Sequence, residues 1–235
     1  MSNTLIPRDF PPLVVGSVAD AATLRSLLLT EQKPDSDMLE LRVDGLLRDM
    51  NAEELASESW EMPMLLTVRT QEEGGLYPFT DTQSRAEMAL RLLPQAAALD
   101  WEIAHLAEVP HLVEAAKKAG VPIIASAHDF EKTPSEDALR KLEIRAREWG
   151  ADVVKFAFAL NRAEDMQVGV NLLRRAAGPM AVMGMGALGP VSRLLYAQYG
   201  SCLVYGYFDN APTAPGQWST AQFRAALTSL SLCRG

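Results

Sequence analysis

The chain has 235 residues, 48% of them hydrophobic and 22% charged, which is ample material for a globular core and excludes global disorder. A formal charge of −8 excludes nucleic acid or an anionic membrane surface as the main partner, because both require a basic face that releases counterions. The two cysteines, Cys202 and Cys233, have no CxxC spacing, which excludes a disulfide framework and a cysteine-built zinc site and points to a reduced, cytoplasmic protein.

Short β-rich runs alternate with longer amphipathic stretches from end to end, the pattern of a parallel sheet with helical crossovers. The first run is Leu13-Val14-Val15. In the second, Met38 to Arg42, side chains alternate between faces: Leu39, Leu41 and Val43 make one apolar, while Met38, Glu40, Arg42 and Asp44 make the other polar. The same alternation turns Thr67 and Arg69 inward from the third run, Met64 to Arg69, and Asp100 and Glu102 inward from the fourth, Leu99 to Ile103. Lys117-Lys118-Ala119-Gly120 then reads as a helix end, basic in its last turn with glycine after it. The fifth run, Val121 to Ser126, turns Ser126 and, beyond it, His128 inward. Thr133-Pro134-Ser135-Glu136 predicts a capping box that opens a helix towards Trp149, with Gly150 closing it.

The sixth run, Asp152 to Phe156, places bulky Val154, Phe156 and Phe158 on one parity and Val153, Lys155 and Ala157 on the other, so Lys155 points inward. Met180 to Met183 is the seventh run and Cys202 to Tyr205 the eighth. About eight strand–helix units fit an α/β fold of the (β/α)8 TIM-barrel type, taken as one domain over residues 1–235.

Charged groups are rarely buried unpaired, so an inward cluster of this size predicts a ligand cavity at the carboxyl ends of the strands. Lys155 is the sharpest member. An ammonium in a central strand must be neutralised, paired or used, the bland alternative being a strand-end lysine that reaches solvent. Desolvation together with Arg42, Arg69 or Arg193 would push it towards the free amine that attacks a carbonyl. His128 sits where a proton-transfer group could reach the ligand; otherwise it is a satisfied loop-end ring. Glu102 could bond the other ring nitrogen, or else pair with a neighbouring arginine. His105 and His111 have no metal-ligand spacing and are given no role.

Gly184-Met185-Gly186-Ala187-Leu188-Gly189 matches a dinucleotide fingerprint, with Asp209 about twenty residues on. A nucleotide-binding unit would start its domain with this motif, whereas here only one strand and helix remain. The better reading is a glycine-rich turn that offers N–H groups and a helix N-terminus to an anion, with Arg193 supplying full charge. Ala214-Pro215-Gly216-Gln217 reads as a turn or a lid over the barrel mouth. Together these residues suggest Schiff-base chemistry on a small anionic ketone.

Taken in order, Glu40-Leu41-Arg42-Val43-Asp44, Thr67-Val68-Arg69 with Glu73-Gly74-Gly75, Asp100-Trp101-Glu102, His128-Asp129-Phe130, Lys155, Met183-Gly184-Met185-Gly186 with Ser192-Arg193, and Ala214-Pro215-Gly216-Gln217 give a chain that resembles the type I 3-dehydroquinate dehydratases. The resemblance covers nearly the whole length. It implies a (β/α)8 barrel, usually a homodimer, that converts 3-dehydroquinate to 3-dehydroshikimate and water without metal or diffusible cofactor. Carried over residue by residue, Lys155 would form the imine, His128 would move the protons, and Glu102 would orient His128. Arg193 and Gln217, with Thr213 in the lid, would hold the substrate carboxylate, and Glu40, Arg42 and Arg69 its hydroxyls. Thr213 stands where the family generally has serine, Leu41 where tryptophan is frequent and Gly45 where histidine is frequent, and Gly16 and Ser17 leave the first-strand serine ambiguous. Two other readings use the same residues: a class I aldolase acting on another hydroxy-ketone, and a non-catalytic barrel that binds a small acid.

Overall fold

The computed structural model describes residues 12–30, 34–58, 61–77, 79, 81–208 and 218–231. Eight parallel strands, β1 (Leu13–Val18), β2 (Met38–Arg42), β3 (Met64–Thr67), β4 (Ala98–Glu102), β5 (Ile123–Asp129), β6 (Val153–Ala159), β7 (Met180–Met185) and β8 (Leu203–Tyr207), lie in the order β7-β6-β5-β4-β3-β2-β1-β8. Cys202 N donates to Met180 O at 2.9 Å, which draws the last strand against the seventh and brings the sheet round to a nearly closed barrel. The helices are α1 (Ala21–Leu29), α2 (Val43–Leu46), α3 (Ala52–Ser57), α4 (Thr82–Leu92), α5 (Ile103–Leu106), α6 (Pro110–Ala119), α7 (Glu136–Glu148), α8 (Met166–Arg174), α9 (Gly189–Gln198) and α10 (Thr220–Ser231). The architecture is the (β/α)8 barrel that the alternation predicts. Among the described residues no helix is long and apolar enough to cross a membrane.

Strand parity sorts the core into two parts. Leu39, Leu41, Leu66, Trp101, Val154, Phe156 and Phe158 face outward and pack under the helices. Val15, Met38, Leu65, Ala98, Ile124, Val153 and Leu203 face inward and fill the barrel floor. Two residues further along the same strands the inward face becomes polar: Ser17 after Val15, Glu40 after Met38, Thr67 after Leu65, Asp100 after Ala98, Ser126 after Ile124 and Lys155 after Val153. These six strands therefore each contribute an apolar plug below and a polar group above, at the carboxyl end where barrel enzymes place their chemistry. Burying each large apolar side chain contributes about 1.5–3 kcal/mol, and that packing keeps a buried polar layer in place.

Local signals set the helix ends. Gly120 ends α6 in the left-handed region at φ 71°, as its position after a basic last turn predicts. The start of α7 differs from expectation: Ser135, not Thr133, is the N-cap, its hydroxyl accepting from Ala138 N. Thr133 is drawn away because its hydroxyl donates to Ala159 O at 2.7 Å, tying this loop to the end of β6.

Candidate active site

The polar layer is one connected network. Lys155, 3% exposed, sets Nζ 2.8 Å from Asp100 Oδ2 and 3.9 Å from Glu40 Oε1, with the Tyr205 ring centroid at 4.3 Å. Asp100 Oδ1 accepts from Arg69 Nη2 at 2.7 Å and from the Ser126 hydroxyl at 2.6 Å. Glu40 accepts from the Ser17 hydroxyl at 2.5 Å and the Thr67 hydroxyl at 3.1 Å. Burial alone would raise the Asp100 carboxyl, but Arg69 and Lys155 outweigh it and hold it well below the usual carboxylate range. Burial likewise opposes the charge on Arg69, and Asp100 and Glu102 overcome it, so this guanidinium is held firmly cationic.

Register places the proton-transfer pair. Ser126 stands beside Lys155 in the β5–β6 ladder and His128 beside Ala157, so the imidazole and the amine share the interior face of adjacent strands. His128 Nδ1 lies 2.7 Å from Glu73 Oε2, which also accepts from the backbone N of His128 at 3.1 Å. Burial, then Arg69 and Lys155, push the imidazole well below its ordinary pKa. Burial pushes the Glu73 carboxyl up to about 7, against the pull of Arg69. A neutral ring thus meets a carboxyl poised near neutrality, and Nε2 is the nitrogen left to work.

At the opposite side of the site Arg193, on α9, donates from Nη1 to Tyr205 O at 2.6 Å, and among the described residues its buried Nε has no partner. Among the described residues no carboxylate pairs with it, and burial draws its pKa down to about 10. A half-buried guanidinium without a counterion suits a ligand carboxylate. The glycine-rich turn leads into this helix: Gly186 is left-handed at φ 83°, and Gly184 N donates to the Ser192 hydroxyl at 3.2 Å.

A model of the type I 3-dehydroquinase family matches residues 13–233. The chain belongs to the type I 3-dehydroquinase family. It is similar to the 3-dehydroquinate dehydratase of Methanocella arvoryzae, 32% identical over 95% of this chain and 99% of that protein. Among solved structures it resembles the 3-dehydroquinate dehydratase of Geobacillus kaustophilus, with TM-score 0.84 and 23% identity over 96% of this chain and 93% of that one. It also resembles the type I enzyme of Clostridium difficile, whose crystal structure carries covalently modified comenic acid, with TM-score 0.82 and 25% identity over 95% of this chain and 93% of that one.

Against that type I 3-dehydroquinase background, the expected site residues fall into three groups. Lys155, His128, Glu40, Arg69 and Glu102 meet in one interior cluster, with Arg193 at its edge. Thr213 and Gln217 lie outside the described residues. Arg42 is 20% exposed in its side chain and turned to Asp44, at 3.0 and 2.8 Å, and to Gly74 O at 3.1 Å.

Two expectations are corrected. Glu102 does not hold His128; it accepts from Arg69 Nη1 at 2.9 Å, from Thr70 N at 3.0 Å and from Arg85, whose guanidinium lies over the Trp101 ring. Arginine competition fills the carboxylate, and Glu73 takes the ring instead. Among the described residues the groups in contact with Nζ of Lys155 are two carboxylates and an aromatic face, not the arginines expected there, because Arg42, Arg69 and Arg193 are each drawn to other acceptors. The first-strand ambiguity is settled by space and bonding. Ser17 bonds Glu40, whereas a Cβ at Gly16 would meet the Phe208 ring at 1.9 Å.

Proposed function

We propose that this enzyme dehydrates 3-dehydroquinate to 3-dehydroshikimate through an imine on Lys155, with His128 moving the protons. What carries the reading is the amine and the imidazole on one interior face of neighbouring strands, with Glu73 on the ring's far nitrogen. The covalent ligand of the Clostridium difficile relative supports a covalent route.

In the proposed sequence Lys155 gives up its extra proton and attacks the C3 carbonyl carbon; the carbonyl oxygen leaves as water and a protonated imine remains. Asp100, Glu40 and the Tyr205 ring face favour positive charge at that nitrogen. The iminium draws electrons from C2, so His128 Nε2 takes the C2 proton and an enamine forms. The enamine pair then expels the C1 hydroxyl, which departs as water with the proton from His128. A second water hydrolyses the imine and frees Lys155, for a net loss of one water.

Arg193 would receive the substrate carboxylate, with Thr213 and Gln217 completing that end. Glu40, Arg42 and Arg69 remain proposed contacts to substrate hydroxyls, although their present bonds also suit them to holding Lys155 and the Glu73 segment in place. Glu102 is proposed as a brace for Arg69 and Arg85. Residues 1–235 as one catalytic domain, a cytoplasmic location and a homodimer belong to the same proposal. The extent of the family match supports the single domain and the scarcity of cysteine the reducing compartment, while the homodimer rests on the family resemblance alone.

The test is ultraviolet absorbance of the conjugated product from 3-dehydroquinate. The protein should generate it, and His128→Ala should slow it by about 10²–10⁴-fold, the usual worth of general acid–base catalysis. No absorbance change with the unaltered protein, or an unimpaired His128→Ala, contradicts the reading.

A further inference from the structure

We propose that Asp44 is a positioning residue for the dehydration, fastening both ends of the segment from Arg69 to Leu76 so that the Glu73 carboxylate is set against His128. The inference rests on the reading of His128 as the proton-transfer group.

Asp44 has no exposed side-chain surface and accepts four hydrogen bonds. Oδ1 accepts from Arg69 N at 3.1 Å and Arg42 Nε at 3.0 Å; Oδ2 accepts from Leu76 N at 3.0 Å and Arg42 Nη2 at 2.8 Å. One buried carboxylate therefore gathers the entry and the exit of the segment. Arg42, fixed by the same carboxylate, reaches on to Gly74 O at 3.1 Å and holds the residue after Glu73.

Between these anchors the chain is wound tightly, with Glu73 N and Gly75 N both donating to Thr70 O, at 3.1 and 2.8 Å. Gly74 is left-handed at φ 85°, and a Cβ at Gly75 would fall 2.3 Å from Arg69 O, so the turn admits only glycine at these two places. Glu73 is the side chain that this turn sends across to β5. The charged groups facing it are His128 on β5, Asp100 and Glu102 on β4, and Arg69 at the base of its own segment.

Only an ionised carboxylate can accept from two backbone N–H groups and a guanidinium at once. Asparagine at this position offers one acceptor oxygen and turns an NH2 group towards donors, so one anchor is lost with almost no change in volume. Asp44 makes no direct bond to Nζ, and its hold on Arg69 is through the backbone N, while the Arg69 guanidinium keeps Asp100, Glu102 and Ser126 as partners, so Lys155 should be disturbed far less than Glu73.

The experiment compares full-length Asp44→Asn with the unaltered protein by thermal unfolding, by borohydride trapping of the Lys155 adduct with 3-dehydroquinate, and by the pH profile of kcat. Trapping should stay within about threefold while kcat falls by about tenfold or more. The acid limb of the profile should move below its position near pH 7, because a loosened segment admits water to Glu73 and relieves the burial that raises its carboxyl. A kcat and an acid limb like those of the unaltered protein would overturn the inference. So would a loss confined to KM, which would make Asp44 a partner of Arg42 in substrate binding only.

If Asp44→Asn does not fold, Leu76→Pro decides. It deletes the N–H that Oδ2 accepts, at an exposed position, and leaves the carboxylate in place. The same displacement of the limb supports the inference, and an unmoved limb sinks it. Failure of the underlying reading would look different, as absence of Lys155 trapping in the unaltered protein itself.

Discussion

The pair Glu73–His128 holds one proton between two groups whose affinities have been drawn together, the carboxyl up to about 7 and the imidazole well down, both chiefly by burial. Below pH 7 Glu73 is the donor to Nδ1, so the ring keeps its proton on Nε2 and has no lone pair there to act as base. Above it the ionised Glu73 accepts from Nδ1–H, and Nε2 carries the lone pair. Turnover should therefore rise with pH through about 7. Glu73→Gln, whose amide oxygen can still accept from Nδ1–H, should erase that limb and lower kcat by about ten- to a hundredfold; a limb that persists unchanged in steady-state assays would assign it to another group. Lys155 and His128 were legible in the sequence because both sit on strands whose alternation survives folding. Glu73 was not, although Glu73-Gly74-Gly75 stood out as a motif. It lies in a 3-10 turn, Gln71–Glu73, where parity says nothing about direction. Glu102 was misassigned for a related reason: Arg85, which competes for it, comes from helix α4 and carries no signal in the strand pattern.

Among the elements, strand centres were predictable and their exits were not. Alternation places Met38, Glu40 and Arg42 correctly on one face, but β2 ends at Arg42 and the chain turns helical at Val43, so Asp44 reaches its buried place by a helical turn rather than by strand parity. Within that turn Gly45 leaves no room for a side chain: a Cβ there would fall 2.2 Å from Ala19 O. Alanine gains about 1 kcal/mol over glycine in helix propensity. Forcing a methyl onto a backbone oxygen costs about 1–3 kcal/mol, and the backbone cannot swing aside as a flexible side chain would. Gly45→Ala should thus be destabilising, lowering Tm by about 2–4 °C per kcal/mol lost; a melt at or above that of the unaltered protein would show that α2 and the loop before α1 move freely apart. The start of α7 makes the same point. Thr133 and Ser135 are equally good caps by composition, and only the Ala159 carbonyl, brought near by folding, decides between them.

For the molecule as a whole, the eightfold alternation of strand and helix was enough to give the barrel, and the inward ionisable residues, with the habit of such barrels to place their chemistry at the carboxyl ends of the strands, gave the end at which the site lies. A chain of net charge −8 concentrates four arginines, Arg42, Arg69, Arg85 and Arg193, and a lysine around one region; among the described residues all but Arg193 pair with a carboxylate, and Arg193 is held by the Tyr205 carbonyl alone. What the pattern could not give was the pairing inside that region, because arginine and carboxylate partners on different elements are chosen by distance in three dimensions. In place of the expected crowd of cations, the described groups against the lysine nitrogen are two carboxylates and one aromatic face, which fits a nitrogen that carries positive charge during turnover. Central to the account is a covalent bond between that nitrogen and the substrate. Intact-mass and peptide analysis after borohydride is added with 3-dehydroquinate tests it most directly: the account predicts a reduced adduct on Lys155, and an unmodified mass under turnover conditions, or an adduct on another residue, would contradict it.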